Sequence, residues 1–285
     1  METLKVAFID FWPEIDQENI FLPILQKHFD VQVTRINPDV IIHSIFGRMQ
    51  ETHKYKCKKI LYLGENWRPN DFGSNYSISF DPHTDTNYRL PIWQYFLLLN
   101  SNLRNRLLNQ KRLNYNEEEF ERWCAYIVSN PSNFIRNSAY GILSQYKHVN
   151  SYGRHLNNDM GLQKASQGRY WRDAKDEFFL KHSHKFMFAY ENTPYKYYCT
   201  EKLMDAFLVG AMPIYWGDPK VSEDWNKEAF IDVTRGSVDI VKQIDSDKKR
   251  FRDMYEQPVF TEEQRKRHED NVDNFEHWLI EKIKK

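Results

Sequence analysis

The clearest hydrophobic and polar pattern in the chain runs from Phe188 to Pro219, FAYENTPYKYYCTEKLMDAFLVGAMPIYWGDP. An apolar run of strand length gives way to a polar loop. Leu203, Ala206, Phe207 and Gly210 then recur at helical spacing, and MPIYW resumes as a strand. Thr200 is placed to cap the helix, its hydroxyl accepting from an orphan N–H. Gly210 ends the helix and Pro213 prevents its continuation. The pattern predicts a βαβ unit whose polar loop lies at the C-terminal end of the first strand. In open α/β sheets that edge is where ligands bind.

A second stretch has the same grammar. Trp123 to Ser129 (WCAYIVS) reads as a strand, and Asn130 and Pro131 break it. Ser132 is placed to cap a helix with Ile135, Ala139, Ile142, Leu143 and Tyr146 on its inner face. In the N-terminal half, residues 4–10, 39–46 and 59–63 read as strands, Glu18 to Phe29 as a helix and 92–99 as a core helix. The polar stretch from Asn100 to Glu121, with Glu117, Glu118 and Glu119 near its end, reads as a linker and a solvated helix. This gives a first domain at 1–121 and a second at 122–285. Thr261 and Gln264 form a capping box for a last helix that ends near Lys284, with Val272, Phe275, Trp278 and Ile283 for packing.

The two βαβ stretches share a charge feature. Lys202 falls in the first helical turn, where unpaired N–H groups already carry partial positive charge. Pointing into water it would cost a few tenths of a kcal/mol. Bound to an anion it would cost nothing, and helix starts after strands are ready anion sites. Arg136 lies near the start of the other helix. Two such cations suit a nucleotide diphosphate, since arginine grips phosphate with a fork and lysine supplies a point charge.

Five stretches in order, LGENWRPN at 63–70, NYSISFD at 75–81, VSNPSNFIRN at 128–137, FAYENTPYKYYCTEK at 188–202 and GAMPIYWGDP at 210–219, closely resemble the family 10 glycosyltransferases, the α1,3/4-fucosyltransferases of bacterial type. The resemblance implies an α/β, GT-B-like fold with two Rossmann-like domains facing a central cleft and a C-terminal helix. In transferases of that type such a helix often returns to the first domain. It implies GDP-fucose as donor and inversion at the fucose anomeric carbon. Carried over by motif, Arg136 and Lys202 bind the diphosphate, Glu201 binds the donor through the ribose, and Asn192 and Tyr198 complete the donor pocket. Glu65, in the GEN triplet, is the catalytic base. Two departures stand out: Cys199 where an apolar residue is expected, and Pro194-Tyr195-Lys196-Tyr197 in place of a small, glycine-rich insert.

The expected reaction moves L-fucose to the 3-hydroxyl of N-acetylglucosamine in an N-acetyllactosamine-type acceptor, giving a Lewis-type product. The alternatives are a transferase of the same architecture with another nucleotide sugar, and a nucleotide-sugar-binding or lectin-like protein without transfer. Without the resemblance, Glu65 reads as an exposed loop carboxylate or a partner of Arg68. Glu191 is a rival carboxylate, read as structural and tying down the loop that follows it. Trp67 reads either as an acceptor-site residue or as packing between domains.

Composition narrows the partners. The 285 residues carry zero formal net charge, which disfavours nucleic acid and anionic membranes as partners. No stretch approaches the eighteen apolar residues that a membrane span needs. The resemblance to bacterial-type members implies a cytoplasmic location, with at most peripheral contact with an inner membrane. The three cysteines, Cys57, Cys124 and Cys199, lack motif spacing and suit a reducing compartment. Asp245-Ser246-Asp247 is the only DxD triplet and reads as a solvated face. His182 and His184 lack a third ligand. No metal site is therefore expected and no cofactor is required, with a divalent cation such as Mn2+ at most a stimulant.

Overall fold

The computed structural model describes residues 1–47, 49–109 and 120–285. They divide into two compact units, Met1–Arg104 with Lys266–Lys285, and Asn105–Arg265. Glu117, Glu118 and Glu119 of the expected linker lie outside the described residues.

The first unit is built on a parallel sheet of six strands: β1 (Thr3–Ile9), β2 (Asp30–Val33), β3 (Val40–His43), β4 (Lys58–Tyr62), β5 (Tyr76–Ser79) and β6 (Asn87–Arg89), in the order β2-β1-β3-β4-β5-β6. Its helices are α1 (Ile15–Glu18), α2 (Phe21–Gln26) and α3 (Ile92–Leu99), with α4 (Ser101–Asn109) running across the unit boundary. The helix expected from Glu18 to Phe29 is two short ones. The Asn19 side chain accepts from the N–H groups of Phe21 and Leu22, both at 3.0 Å, so the chain restarts a helix there. Part of the expected linker is α4, whose Leu103, Leu107 and Leu108 are buried, so those positions are not a solvated face.

The second unit carries β7 (Arg122–Tyr126), β8 (Val149–Ser151), β9 (His184–Tyr190), β10 (Met212–Trp216) and β11 (Ile231–Asp232), all parallel, in the order β11-β10-β9-β7-β8. Its helices are α5 (Phe134–Ser144), α6 (Gly161–Ala165), α7 (Trp171–Lys181), α8 (Glu201–Leu208), α9 (Ile240–Ser246) and α10 (Lys248–Tyr255). Every residue of β9 and β10 is buried, as a sheet covered on both faces requires. Alternate residues serve opposite faces. Cys124, Tyr126, Phe186 and Phe188 pack in one cluster with Leu143 and Phe251, while Ala125 and Met187 pack in the other with Phe179 and Ala206.

The last helix, α11 (Glu262–Lys284), opens on the expected capping box. Thr261 Oγ1 accepts from the Gln264 N–H at 3.2 Å, and Gln264 Oε1 accepts from the Thr261 N–H at 2.9 Å. From Lys266 onward this helix belongs to the first unit, whereas the sequence boundary put all of it in 122–285. Packing is the reason. The Phe275 ring meets Phe21 and Tyr88 at 6.3 and 5.3 Å, and Lys58 Nζ donates to the terminal carbonyls of Lys282 and Ile283 at 2.9 and 2.7 Å.

His43 in the first unit and His184 in the second, both buried, set an acid limit. Burial holds His43 and His184 neutral, with pKa lowered from 6.5 to about 4 in both. His43 Nε2 meets Ser74 Oγ at 2.7 Å, and His184 Nε2 meets the Tyr152 hydroxyl at 2.9 Å. A lowered folded pKa means that the unfolded chain takes up the proton first as pH falls. The stability contribution is complete above pH 6.5 and is lost as pH drops from there towards 4, by up to about 3 kcal/mol for each histidine. Thermal melts taken from pH 7.5 to pH 5 are expected to show both units weakening. A melting temperature that stays flat across that interval would contradict this.

Candidate functional site

Strands β7 and β9 are neighbours, yet their crossovers leave in opposite directions. After β7 the chain passes through α5 to β8, on one side. After β9 it passes through α8 to β10, on the other. The crevice beyond the C-terminal ends of β7 and β9 is therefore a topological switch point, the place where an open α/β sheet binds ligands. Both helix starts singled out by charge lie at this edge.

Arg136 is buried in the first turn of α5. Its Nη2 donates to the Asn130 carbonyl at 2.7 Å, and its Nη1 donates to Asn192 Oδ1 at 3.2 Å. The guanidinium thus joins the loop after β7 to the loop after β9. Burial lowers the Arg136 pKa, while Tyr126 and Glu191 act to raise it. Asn133, not Ser132, caps α5: its Oδ1 accepts from the Arg136 N–H at 3.0 Å, and its Nδ2 donates to the Asn192 carbonyl at 2.9 Å. Sequence reasoning missed Asn133, although an asparagine two residues after Pro131 is a capping signal. On α5, Ala139 and Leu143 face inward as expected, but Ile135 is exposed, and Tyr146 falls beyond the end of the helix. The helix begins at the sheet edge, so its first turn overhangs the core.

The second helix start is organised around Glu191, which directly follows β9 and is fully buried. The Thr200 N–H donates to Glu191 Oε1 at 2.7 Å, and the Thr200 hydroxyl donates to Oε2 at 2.6 Å. Thr200 is the residue that precedes α8, but its side chain does not cap the helix: the hydroxyl donates to Glu191, and its oxygen accepts from Lys202 Nζ rather than from a helix N–H. Lys202 Nζ donates to Thr200 Oγ1 at 2.8 Å and stands 3.4 Å from carboxylate oxygens of both Glu191 and Glu201. Gly217 makes room for this arrangement, since a Cβ there would stand 2.4 Å from Glu191 Cγ. Burial raises the Glu191 pKa, with Lys202 acting to lower it. Glu191 is thus placed as the tie of its loop, fully buried with each oxygen accepting from Thr200.

Glu201 opens α8. Burial opposes its charge, but Lys202, Arg172 and Lys175 outweigh burial and hold its pKa down to about 2. One turn on, Asp205 gathers the same cations: Arg172 Nη1 lies 3.1 Å from its Oδ1, and Lys175 pairs with Oδ2. Tyr198 is buried, with its N–H donating to the Tyr195 carbonyl at 3.2 Å. The bulky insert before it has a structural consequence. Tyr197 takes φ of 67°, a conformation that costs a non-glycine residue about 1–2 kcal/mol. Asp218 braces it, accepting from the Tyr197 N–H at 2.8 Å and the Lys220 N–H at 2.7 Å.

In the first unit, Glu65 follows β4 and is half-buried, with its carbonyl accepting from the Trp67 N–H at 2.7 Å. Arg68 pairs with Asp81 at 3.2 Å and lies over Phe80 at 4.7 Å. Trp67 is exposed and packs edge-on against Phe72.

The DxD triplet is a solvated face only in part, with Ser246 and Asp247 exposed but Asp245 not. Asp245 is buried, with Lys147 at 2.6 Å, Lys185 at 2.8 Å and the Tyr146 hydroxyl at 3.1 Å around it. Asp247 instead caps α10 by accepting from the Arg250 N–H at 2.9 Å. Among the described residues no three His, Cys, Asp or Glu side chains gather as a metal site. Nor is any helix among them long and apolar enough to cross a membrane.

Comparison with known proteins agrees with this architecture. Residues 6–96 match the α-(1,3)-fucosyltransferase FucT N-terminal domain, and residues 118–272 match the C-terminal domain of glycosyltransferase family 10 (fucosyltransferase). An α-(1,3)-fucosyltransferase FucT of Helicobacter pylori is 26% identical over 90% of this chain and 61% of its own length, so the chain spans about three fifths of that relative. A GDP-fucose protein O-fucosyltransferase 3 of Xenopus laevis is 38% identical over 31% of this chain and 19% of its own. Crystal structures of an α1,3-fucosyltransferase superpose with a TM-score of 0.72, and of 0.68 for the form with GDP-fucose. Both are 22% identical and cover 97% of this chain, with 90% and 91% of their own covered. The likeness establishes a GT-B-like α/β fold. With the C-terminal family match spanning residues 118–272 of 285, the chain belongs to glycosyltransferase family 10, the fucosyltransferases.

Proposed function

We propose that this chain transfers L-fucose from GDP-fucose, with inversion, to the 3-hydroxyl of N-acetylglucosamine in an N-acetyllactosamine-type glycan, giving a Lewis-type product. The observation that carries the reading is the pairing of Arg136 with Asn192 at the β7/β9 switch point, beside the α8 start that bears Lys202. A departing diphosphate gains negative charge as the bond to fucose breaks. Fixed cations and helix N–H groups stabilise that charge at little reorganisation cost. Arg136 and Lys202 take the diphosphate, Glu201 accepts from the donor's ribose hydroxyls, and Asn192 lines the pocket. Tyr198 completes that pocket with it. Glu65 removes the proton of the acceptor hydroxyl. The H. pylori relative and the solved structure with GDP-fucose support the donor and the linkage.

The Xenopus relative is named for fucose transfer to protein, so the acceptor is where the readings divide. A cytoplasmic location belongs to the same proposal, and the free Cys57, Cys124 and Cys199 support it. One assay tests donor, acceptor and metal together. With GDP-fucose and N-acetyllactosamine in excess EDTA, transfer is expected to persist, because protein cations carry the diphosphate. Complete loss reversed by Mn2+ would overturn the metal-independent mechanism. Transfer to a folded protein domain with none to N-acetyllactosamine would replace the glycan acceptor. Transfer from another nucleotide sugar in preference to GDP-fucose would replace the donor.

A further inference from the structure

We infer that Glu191 is a positioning residue that sets Lys202 in place for the donor diphosphate, acting through the Thr200 hydroxyl. The inference rests on the proposed role of Lys202. A carboxylate at this place could merely close the loop 191–200, and the contacts to the Thr200 N–H and hydroxyl would be enough for that. Three features go beyond loop closure. The Thr200 hydroxyl has one proton, and at 2.6 Å it is given to Glu191, which leaves the oxygen lone pairs to accept from Lys202 Nζ at 2.8 Å. The same Glu191 oxygen, Oε2, stands 3.4 Å from Nζ, so one atom governs both the hydroxyl and the ammonium. The carboxylate is also fixed from behind, by the Glu191 N–H donating to the Trp216 carbonyl at 2.8 Å and by the room that Gly217 leaves for its side chain.

The consequence is a lysine that arrives ordered. A free lysine side chain has much rotamer freedom to lose on gripping a phosphate. Here the ammonium is held at the start of α8 beforehand, by one hydroxyl and by carboxylates on two sides. The diphosphate then meets a cation already aimed, and binding is stronger by the ordering cost that it avoids.

Glu191→Gln tests this without removing the loop tie. The amide oxygen can still accept from the Thr200 N–H, and the amide NH2 can donate to the Thr200 hydroxyl. What goes is the negative charge beside Lys202. GDP affinity measured by calorimetry is expected to fall about tenfold in E191Q, within the range of coupling between contacting residues. In a Lys202→Met background, adding E191Q should change GDP affinity by less than about twofold, since the residue acts through the lysine. Thr200→Val, which keeps the shape and the N–H but breaks the hydroxyl relay, should resemble E191Q and remain folded. An equal loss from E191Q in both backgrounds would mean loop closure alone and would overturn the inference, as would unchanged affinity in both E191Q and T200V. Wild-type affinity in K202M by itself would overturn the diphosphate role of Lys202, and the inference with it.

Discussion

Glu65→Gln is expected to lower turnover by about 10²–10⁴-fold at saturating substrates while leaving GDP affinity unchanged. Glutamine keeps the size and the hydrogen-bonding reach of the side chain but cannot take a proton. The separation of effects follows from placement. Glu65 belongs to the first unit, after β4, whereas Arg136, Asn192, Glu201 and Lys202 belong to the second. Glu201→Gln should therefore behave differently, weakening GDP binding together with rate. The two variants are read by steady-state kinetics at saturating acceptor and by calorimetry with GDP. Near-normal turnover in E65Q would remove the base assignment. Glu191 does not stand as a substitute, because Thr200 occupies both of its oxygens.

Arg136→Lys is expected to weaken GDP binding by about 10–150-fold, the equivalent of losing a charge-assisted contact worth about 1.5–3 kcal/mol. The lysine keeps the charge, so the loss measures geometry. A guanidinium can hold the Asn130 carbonyl and Asn192 Oδ1 with two nitrogens and still present its fork to a phosphate. A single ammonium cannot do all three. Arg136→Ala would add the cost of leaving buried partners unsatisfied, so it confuses binding with folding. The lysine variant is the cleaner reading, with a thermal melt as its control. Unchanged GDP affinity in R136K would exclude a fork contact between this arginine and the phosphate.

Much of the framework could be read from the chain. Strands β9 and β10 are apolar runs of the right length, buried throughout, and α3 and α8 fall where periodicity put them. Gly210 takes φ of 77°, and Thr261 and Gln264 close their box, because turn and cap chemistry is local. Short strands such as β6 and β8, three residues each, left too little pattern to see. The candidate site was legible as residue types. Arg136 and Lys202 stand out because a cation at a helix start is out of place without an anion.

What the sequence determined by itself was thus local: periodicity, turns, the Thr261/Gln264 capping box and the misplaced charges, all set by residues within a few positions of one another. Tertiary structure decided everything that depends on strand order. The β11-β10-β9-β7-β8 order makes the gap beyond β7 and β9 a switch point, and no local pattern encodes which strands become neighbours. It also decided where buried charges find partners. Asp245, in a run that reads as solvated, is paired with Lys147 and Lys185 from distant segments. Thr200 has the right residue type to cap α8, yet its hydroxyl is turned to Glu191, nine residues away, and its oxygen accepts from Lys202 Nζ in place of a helix N–H. A buried carboxylate without donors is far costlier than an uncapped helix start, so the tertiary demand overrides the local one.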